Sequence, residues 1–269
     1  MVGTNTPAKN GGQRGLILQP RDLSLLGELF IMRVADREQL RIAAGFGSTT
    51  RINTRLLALL RAGLLRRFFL GSGGGRKALY ALSMKGAQLI QVSFRGPRRR
   101  QNEMLIADFF VQHQLSINAI YCDLKFGTVP VPQVKFVNWQ AFHEPLAAGL
   151  SLIPDGYVEF ITPSGIDASF IEVDLGHEGR SVWEEKARHY FQLAESGEYE
   201  RQFKQPRFRV LVIANSARRM HSIRDAVAEI TEQVFWFAPL EAVIGEKFFG
   251  SVWLRPTGET YQPFFKKTP

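Results

Sequence analysis

Apolar positions recur along the chain at two spacings, and the change from one spacing to the other marks out the elements. From Arg21 the spacing is helical, with "RDLSLLGELFIMR" setting Leu23, Leu26 and Phe30 along one stripe. "DREQLRIAAG" opens on Asp36 as an N-cap and closes on Gly45, which predicts a second short helix. A third runs through "STTRINTRLLALLRAGLLRR", with Ser48 or Thr49 as its cap and Gly63 at its exit. Its apolar face is Ile52, Leu56, Leu59 and Leu60, which leaves Thr50, Arg51, Thr54, Arg55 and Ala58 on a polar, cationic face. "LLRRFFLGSGGGRKALYALS" then predicts a strand, a glycine-rich tip carrying Arg76 and Lys77, and a second strand, before another helix opens at "MKGAQLIQV".

Farther along, "NEMLIADFFVQHQLSINAIYCDLKFG" predicts one long helix, with Leu105, Phe109, Leu115, Ile117 and Ile120 among its apolar positions. Strands follow in "QVKFVNW", "IPDGYVEFIT" and "DASFIEVDLG". After them come a helix in "RSVWEEKARHYFQLAES", a strand in "RFRVLVIAN", a helix in "ARRMHSIRDAVAEITEQ" and a strand in "VFWFAPLEAV". Strands alternate with helices only in the later half, so a mixed sheet flanked by helices is expected.

Acids occupy places in this sheet where a plain hairpin needs none. Residues i and i+2 of a strand share a side, so Glu172 and Asp174 of "FIEVD" project together while Ile171 and Val173 face away. The short "TPSGID" connection makes the two preceding strands antiparallel, which brings Asp155 beside the end of its neighbour. Three converging carboxylates raise one another's pKa values unless they share a cation, and all-oxygen ligands suit Mg²⁺ or Mn²⁺. The following helix carries Lys186 and Tyr190 at i and i+4, on one face with Trp183, where an ammonium can stabilise charge on a phosphate under attack. The alternative is a set of polar strand ends, since "PDG" is also a common turn signal.

Charge sharpens the picture. Residues 1–100 hold 18 Lys/Arg against 4 Asp/Glu, and residues 101–269 hold 16 against 21, so the net +9 arises wholly from the first part. That asymmetry points to a polyanion-binding N-terminal unit joined to one with different work. Cys122 is the single cysteine, which excludes an internal disulfide and a C-x-x-C metal or redox site and fits a reducing, cytoplasmic setting. No apolar run reaches signal-peptide or membrane-span length, and "GSGGGRK" lacks the P-loop spacing. His177, just past the acid strand, is placed to contact metal or phosphate, against the reading that a lone loop histidine is more often solvated; His113, His143, His189 and His221 show no metal-ligand spacing.

Three helices and a hairpin, with "LLRAGLLRR" and "LYALSMKGAQLI" at the passage from the third helix through the hairpin, resemble a winged helix-turn-helix domain. The resemblance implies double-stranded DNA as partner. Thr50, Arg51, Asn53, Thr54 and Arg55 would face bases or phosphates, and Arg76 and Lys77 would grip phosphates from the wing tip. A winged-helix module used for protein contacts is the competing reading. "VSFRGPRRRQN" reads as a basic linker whose Arg98, Arg99 and Arg100 can touch phosphate.

"IPDGYVEF", "FIEVDLG" and "WEEKARHYFQL" resemble the PD-(D/E)XK nuclease superfamily and, more narrowly, the plasmid replication-relaxation family, over about residues 20 to 240. The resemblance assigns Asp155 and Glu172 to the metal, with Asp174 standing where the superfamily's lysine would be and Lys186 as a lysine relocated to the helix. Glu103 is the match for an additional acid on the first helix.

The fold class expected is α/β of the α+β kind. It comprises a flexible residue 1–20 segment, a winged helix-turn-helix over 21–92, a basic linker over 93–101 and a restriction-endonuclease-like mixed sheet flanked by helices over 102–269. The function expected is DNA binding in plasmid or mobile-element replication, with Mg²⁺- or Mn²⁺-dependent phosphodiester hydrolysis in which Asp155, Glu172 and Asp174 hold the metal and Asp174 and Lys186 serve the chemistry. Replication or mobilisation proteins are the partners this role admits, a homodimer the assembly, and the membrane is excluded. A non-enzymatic DNA-binding regulator with a degenerate nuclease-like domain is the alternative, and a ligand-sensing transcription factor stands third.

Overall fold

In the computed structural model, residues 16–70, 77–95, 108–147, 149–245 and 247–265 are described. Arg76, Arg98, Arg99, Arg100 and Glu103 lie outside them. The fold is mixed α/β. It opens with α1 (Pro20–Met32), β1 (Ala35–Asp36), α2 (Arg37–Ala43) and α3 (Thr49–Arg61), followed by β2 (Leu65–Leu70), β3 (Lys77–Leu82) and α4 (Met84–Leu89). The helix starts follow the expected chemistry: Asp36 accepts from Gln39 N at 2.8 Å, and Ser48 caps α3 by accepting from Arg51 N. Ile52, Leu56 and Leu59 of α3 are buried against Leu25, Leu26 and Leu29 of α1. The two-residue β1 adds a third strand to the hairpin, giving the order β1-β3-β2.

The second group of elements is α5 (Asp108–Phe126), β4 (Lys135–Gln140), β5 (Gly156–Thr162), β6 (Gly165–Asp174), α6 (Arg180–Glu195), α7 (Glu198–Phe203), β7 (Arg209–Ala214), α8 (Ala217–Ala228), β8 (Phe235–Pro239), α9 (Leu240–Val243), β9 (Ser251–Trp253) and β10 (Gln262–Pro263). Five strands form one sheet in the order β4-β5-β6-β7-β8, antiparallel through β6 and parallel from β6 to β8. Alternation divides its residues between two layers: Phe170, Val210, Val212 and Phe237 pack with α6 and α8, and Ile171, Val173, Leu211 and Ile213 pack with α5 and the C-terminal segment. The apolar run after β8 turns helical at Leu240: Pro239, the last residue of β8, offers no N–H to carry the ladder further and doubles as the N-cap of α9.

Helix α5 joins the two groups. Val111, Leu115 and Cys122 face the N-terminal elements, while Ile117, Ile120 and Leu124 face the sheet. Buried polar bonds fix its register: Asn118 Nδ2 donates to Val34 O at 2.7 Å, Gln39 Nε2 to Leu115 O at 2.8 Å, and Glu28 accepts from Tyr121 and Lys125. No described helix is long and apolar enough to cross a membrane.

Gly156, the glycine of "PDG", has no left-handed backbone to explain it. It is needed for space: a Cβ there would lie 2.5 Å from Cζ2 of Trp139, whose indole packs on Tyr121 of α5. Gly156→Ala is therefore expected to cost about 1–3 kcal/mol of stability through overpacking, read as a lowered denaturation midpoint at unchanged slope.

Candidate functional site

Two of the acids sit side by side through strand register. Gly156 pairs with Ile171, so Asp155, just before β5, stands opposite Glu172. Asp155 N donates to Ile171 O at 3.1 Å, and its carboxylate accepts from Val173 N at 2.8 Å, which extends the ladder beyond the strand. His113 of α5 closes over this carboxylate, with Nε2 3.2 Å from Asp155 Oδ2 and 2.8 Å from Val173 O. Burial pulls the His113 pKa down, but Asp155, the Val173 carbonyl and Glu172 more than offset it, so the imidazole is held above its usual value.

Glu172 projects under α6 and is buried with 1% exposure. Both its oxygens are taken: Oε1 accepts from Tyr190 at 2.5 Å and Oε2 from Lys186 at 2.9 Å. The i, i+4 spacing on α6 delivers both donors to one carboxylate. Lys186 Nζ also donates to Glu178 at 2.8 Å and lies 4.7 Å from the Trp183 ring centroid. Burial pushes the Glu172 carboxyl up to about 7, with Lys186 pulling the other way and Asp155 adding to the rise. For Lys186 burial pulls down, yet Glu172 and Glu178 together hold it well above the ordinary ammonium range. Lys186 serves two carboxylates and keeps 21% exposure, so it stays charged, and any proton exchange near neutrality falls on the fully enclosed Glu172.

Asp174 shares that face of β6 and is fully occupied. Arg219 of α8 binds it in a fork, Nε to Oδ1 at 2.7 Å and Nη2 to Oδ2 at 2.8 Å, while Trp183 Nε1 donates at 3.0 Å and Gly176 N at 2.6 Å. Burial pushes its pKa up, but these donors outweigh burial and hold it below the usual carboxylate range. The structure thus sets Asp155 beside Glu172, joins Glu172 to Lys186 and binds Asp174 to α8. Among the described residues no three His, Cys, Asp or Glu side chains converge as a group that could hold a metal ion.

On α3, Thr50, Arg51, Asn53 and Thr54 are exposed. Arg55 is ion-paired with the buried Asp22, and Lys77 reaches Asp36 at 2.5 Å, so two of the expected phosphate contacts carry intramolecular partners. The residues that sequence reading passed over are Arg219, Glu178 and the His113 contact. None has a local spacing signal, because each meets its partner, Asp174 for Arg219, Lys186 for Glu178 and Asp155 for His113, only through the packing of separate elements.

A family model described as Replication-relaxation matches residues 25–205 of the chain. No curated protein and no solved structure matches it.

Proposed function

The chain belongs to the replication-relaxation family, and from that premise we propose that it is a DNA-binding protein of plasmid or mobile-element replication whose second domain is a non-cleaving, nuclease-like scaffold. In this reading the N-terminal elements form a winged helix-turn-helix domain that docks duplex DNA. The exposed face of α3 meets the major groove through Arg51, Asn53, Thr50 and Thr54. The basic excess of residues 1–100 supplies the counterion release that drives such binding.

One observation carries the scaffold reading: each carboxylate of the cluster is already met by a donor of the protein itself. Glu172 is met by Lys186 and Tyr190, Asp174 by Arg219 and Trp183, and Asp155 by Val173 N and His113. The magnesium or manganese that the nuclease resemblance implies needs several free, hard oxygen ligands, and this donor set does not fit it. The cluster instead ties β5, β6, α5, α6 and α8 into one unit.

The test pairs duplex binding with cleavage. Salt-sensitive duplex binding is expected, weakened several-fold by Arg51→Ala, together with no nicking of supercoiled plasmid in Mg²⁺ or Mn²⁺ above that of Asp155→Ala and Glu172→Ala controls. Nicking that those two substitutions abolish would restore the endonuclease reading. Unchanged duplex affinity in Arg51→Ala would remove α3 from the interface.

A further inference from the structure

At the end of the sheet opposite the acids, where β6, β7 and β8 begin, lies a second feature, a groove of about 1380 Å³. One wall is the loop over residues 130–134, the other the β5–β6 turn, and Trp236 and Phe265 supply half-buried aromatic surface between them. Three guanidiniums enter it, from Arg207, Arg209 and Arg255, against one acid among the described lining residues, Asp167. This cationic group stands out because residues 101–269 carry more acids than bases.

The three arginines divide by their partners. Arg209 is a fixed member of the wall: it donates to Asp167 at 2.7 Å and to Phe264 O at 3.2 Å, and lies 4.9 Å from the Trp236 ring centroid. Arg255 stacks on the same indole at 5.3 Å and, among the described residues, donates to a backbone carbonyl, that of Glu232, and to no carboxylate. Arg207 is exposed, two residues before Arg209 on the approach to β7. Asp167 being committed to Arg209, neither Arg207 nor Arg255 has a hydrogen-bonded carboxylate among the described residues. Burial is the chief cause that lowers the pKa of both Arg209 and Arg255; at Arg209 Asp167 opposes it while Arg207 adds to it, and at Arg255 the Arg209 guanidinium adds to it. Trp236 Nε1 is buried with no acceptor among the described residues.

Crowded arginines beside half-buried aromatic side chains suit a phosphate backbone with unpaired bases. The volume exceeds the roughly 300–1,000 Å³ typical of small-molecule sites, which favours a polymer over a free metabolite. A duplex does not suit it, since paired bases offer no face to an aromatic side chain.

We propose that this groove binds single-stranded nucleic acid, with Arg207 and Arg255 on successive phosphates and Trp236 and Phe265 against the bases. It deepens the DNA-binding reading above, adding a single-strand site distinct from the α3 surface.

The experiment uses the full chain with a short fluorescent oligothymidine and, separately, a labelled duplex. The Arg207→Ala/Arg255→Ala double variant is expected to bind oligothymidine about tenfold more weakly. Its slope of log K against log salt should be shallower by about 1.4, or 0.7 for each lost phosphate contact. Its duplex affinity and thermal midpoint should remain those of the parent. Oligothymidine should also quench tryptophan fluorescence, and Trp236→Phe should remove that quench while keeping most of the affinity. Parent-like oligothymidine binding in the double variant would overturn the proposal, and so would thymidine monophosphate competing as well as the oligomer, which marks a free-nucleotide site. Oligothymidine binding that survives Arg51→Ala, or that persists in a protein without duplex affinity, supports the groove even where the α3 reading fails.

Discussion

Replacing Arg219 with methionine will lower the unfolding free energy by about 3 kcal/mol or more, among the largest single-site effects available in this protein. The carboxylate of Asp174 has no exposed side-chain surface, and Arg219 provides two of the four hydrogen bonds it receives. Methionine keeps much of the aliphatic bulk but leaves a buried negative charge with two neutral donors, Trp183 Nε1 and Gly176 N. The cost is that of an uncompensated buried charge, well above the intrinsic value of the ion pair. Urea denaturation of Arg219→Met, Asp174→Asn and the double variant closes a cycle. The expected result is a double variant more stable than Arg219→Met alone, because the charge needing compensation has gone. An Arg219→Met protein within about 0.5 kcal/mol of the parent would show that Asp174 is solvated in solution, and would reopen it as a metal or catalytic ligand.

The parts of this arrangement that were legible in the sequence are those set by local geometry. Glu172 and Asp174 share a face because a strand repeats every two residues, and Lys186 and Tyr190 reach one carboxylate because a helix repeats near every four. The antiparallel placement of Asp155 opposite Glu172 followed from the two-residue turn at Pro163 and Ser164. What stayed hidden depends on packing between distant segments. Arg219 lies 45 residues beyond Asp174 and reaches it only because β7 runs parallel to β6 and returns α8 over the same face. Helix α5 was legible as a helix, but apolar residues on two sides concealed that it serves both the N-terminal elements and the sheet. Strands β1, β9 and β10, of two, three and two residues, are too short to display any period. Gly156 looked like turn chemistry, and only the Trp139 ring explains it.

Lys186→Met is the second large effect, and pH controls its size. In the parent, the Glu172 carboxyl is raised from its ordinary 4.5 to about 7, so the folded state holds its proton more tightly than the unfolded state does. Such a group contributes stability that is fully present below about pH 4.5 and is lost as pH rises through 7, amounting to about 3 kcal/mol over that window. Without Lys186, burial and Asp155 still oppose ionisation while the chief opposing cation is gone, so the folded pKa moves higher and the loss continues to higher pH. Near pH 5 Glu172 is largely protonated in either folded protein, and the variant loses little beyond its bond to Glu178 and its packing on Trp183. Near pH 8.5 the gap should widen to about 3 kcal/mol. Adding Glu172→Gln to Lys186→Met should flatten the pH dependence and recover most of the loss, since Tyr190 can still donate to the amide oxygen. Denaturant midpoints across this range provide the measurement, and a pH-independent penalty for Lys186→Met would mean that Glu172 is ionised throughout and that burial does not govern this cluster.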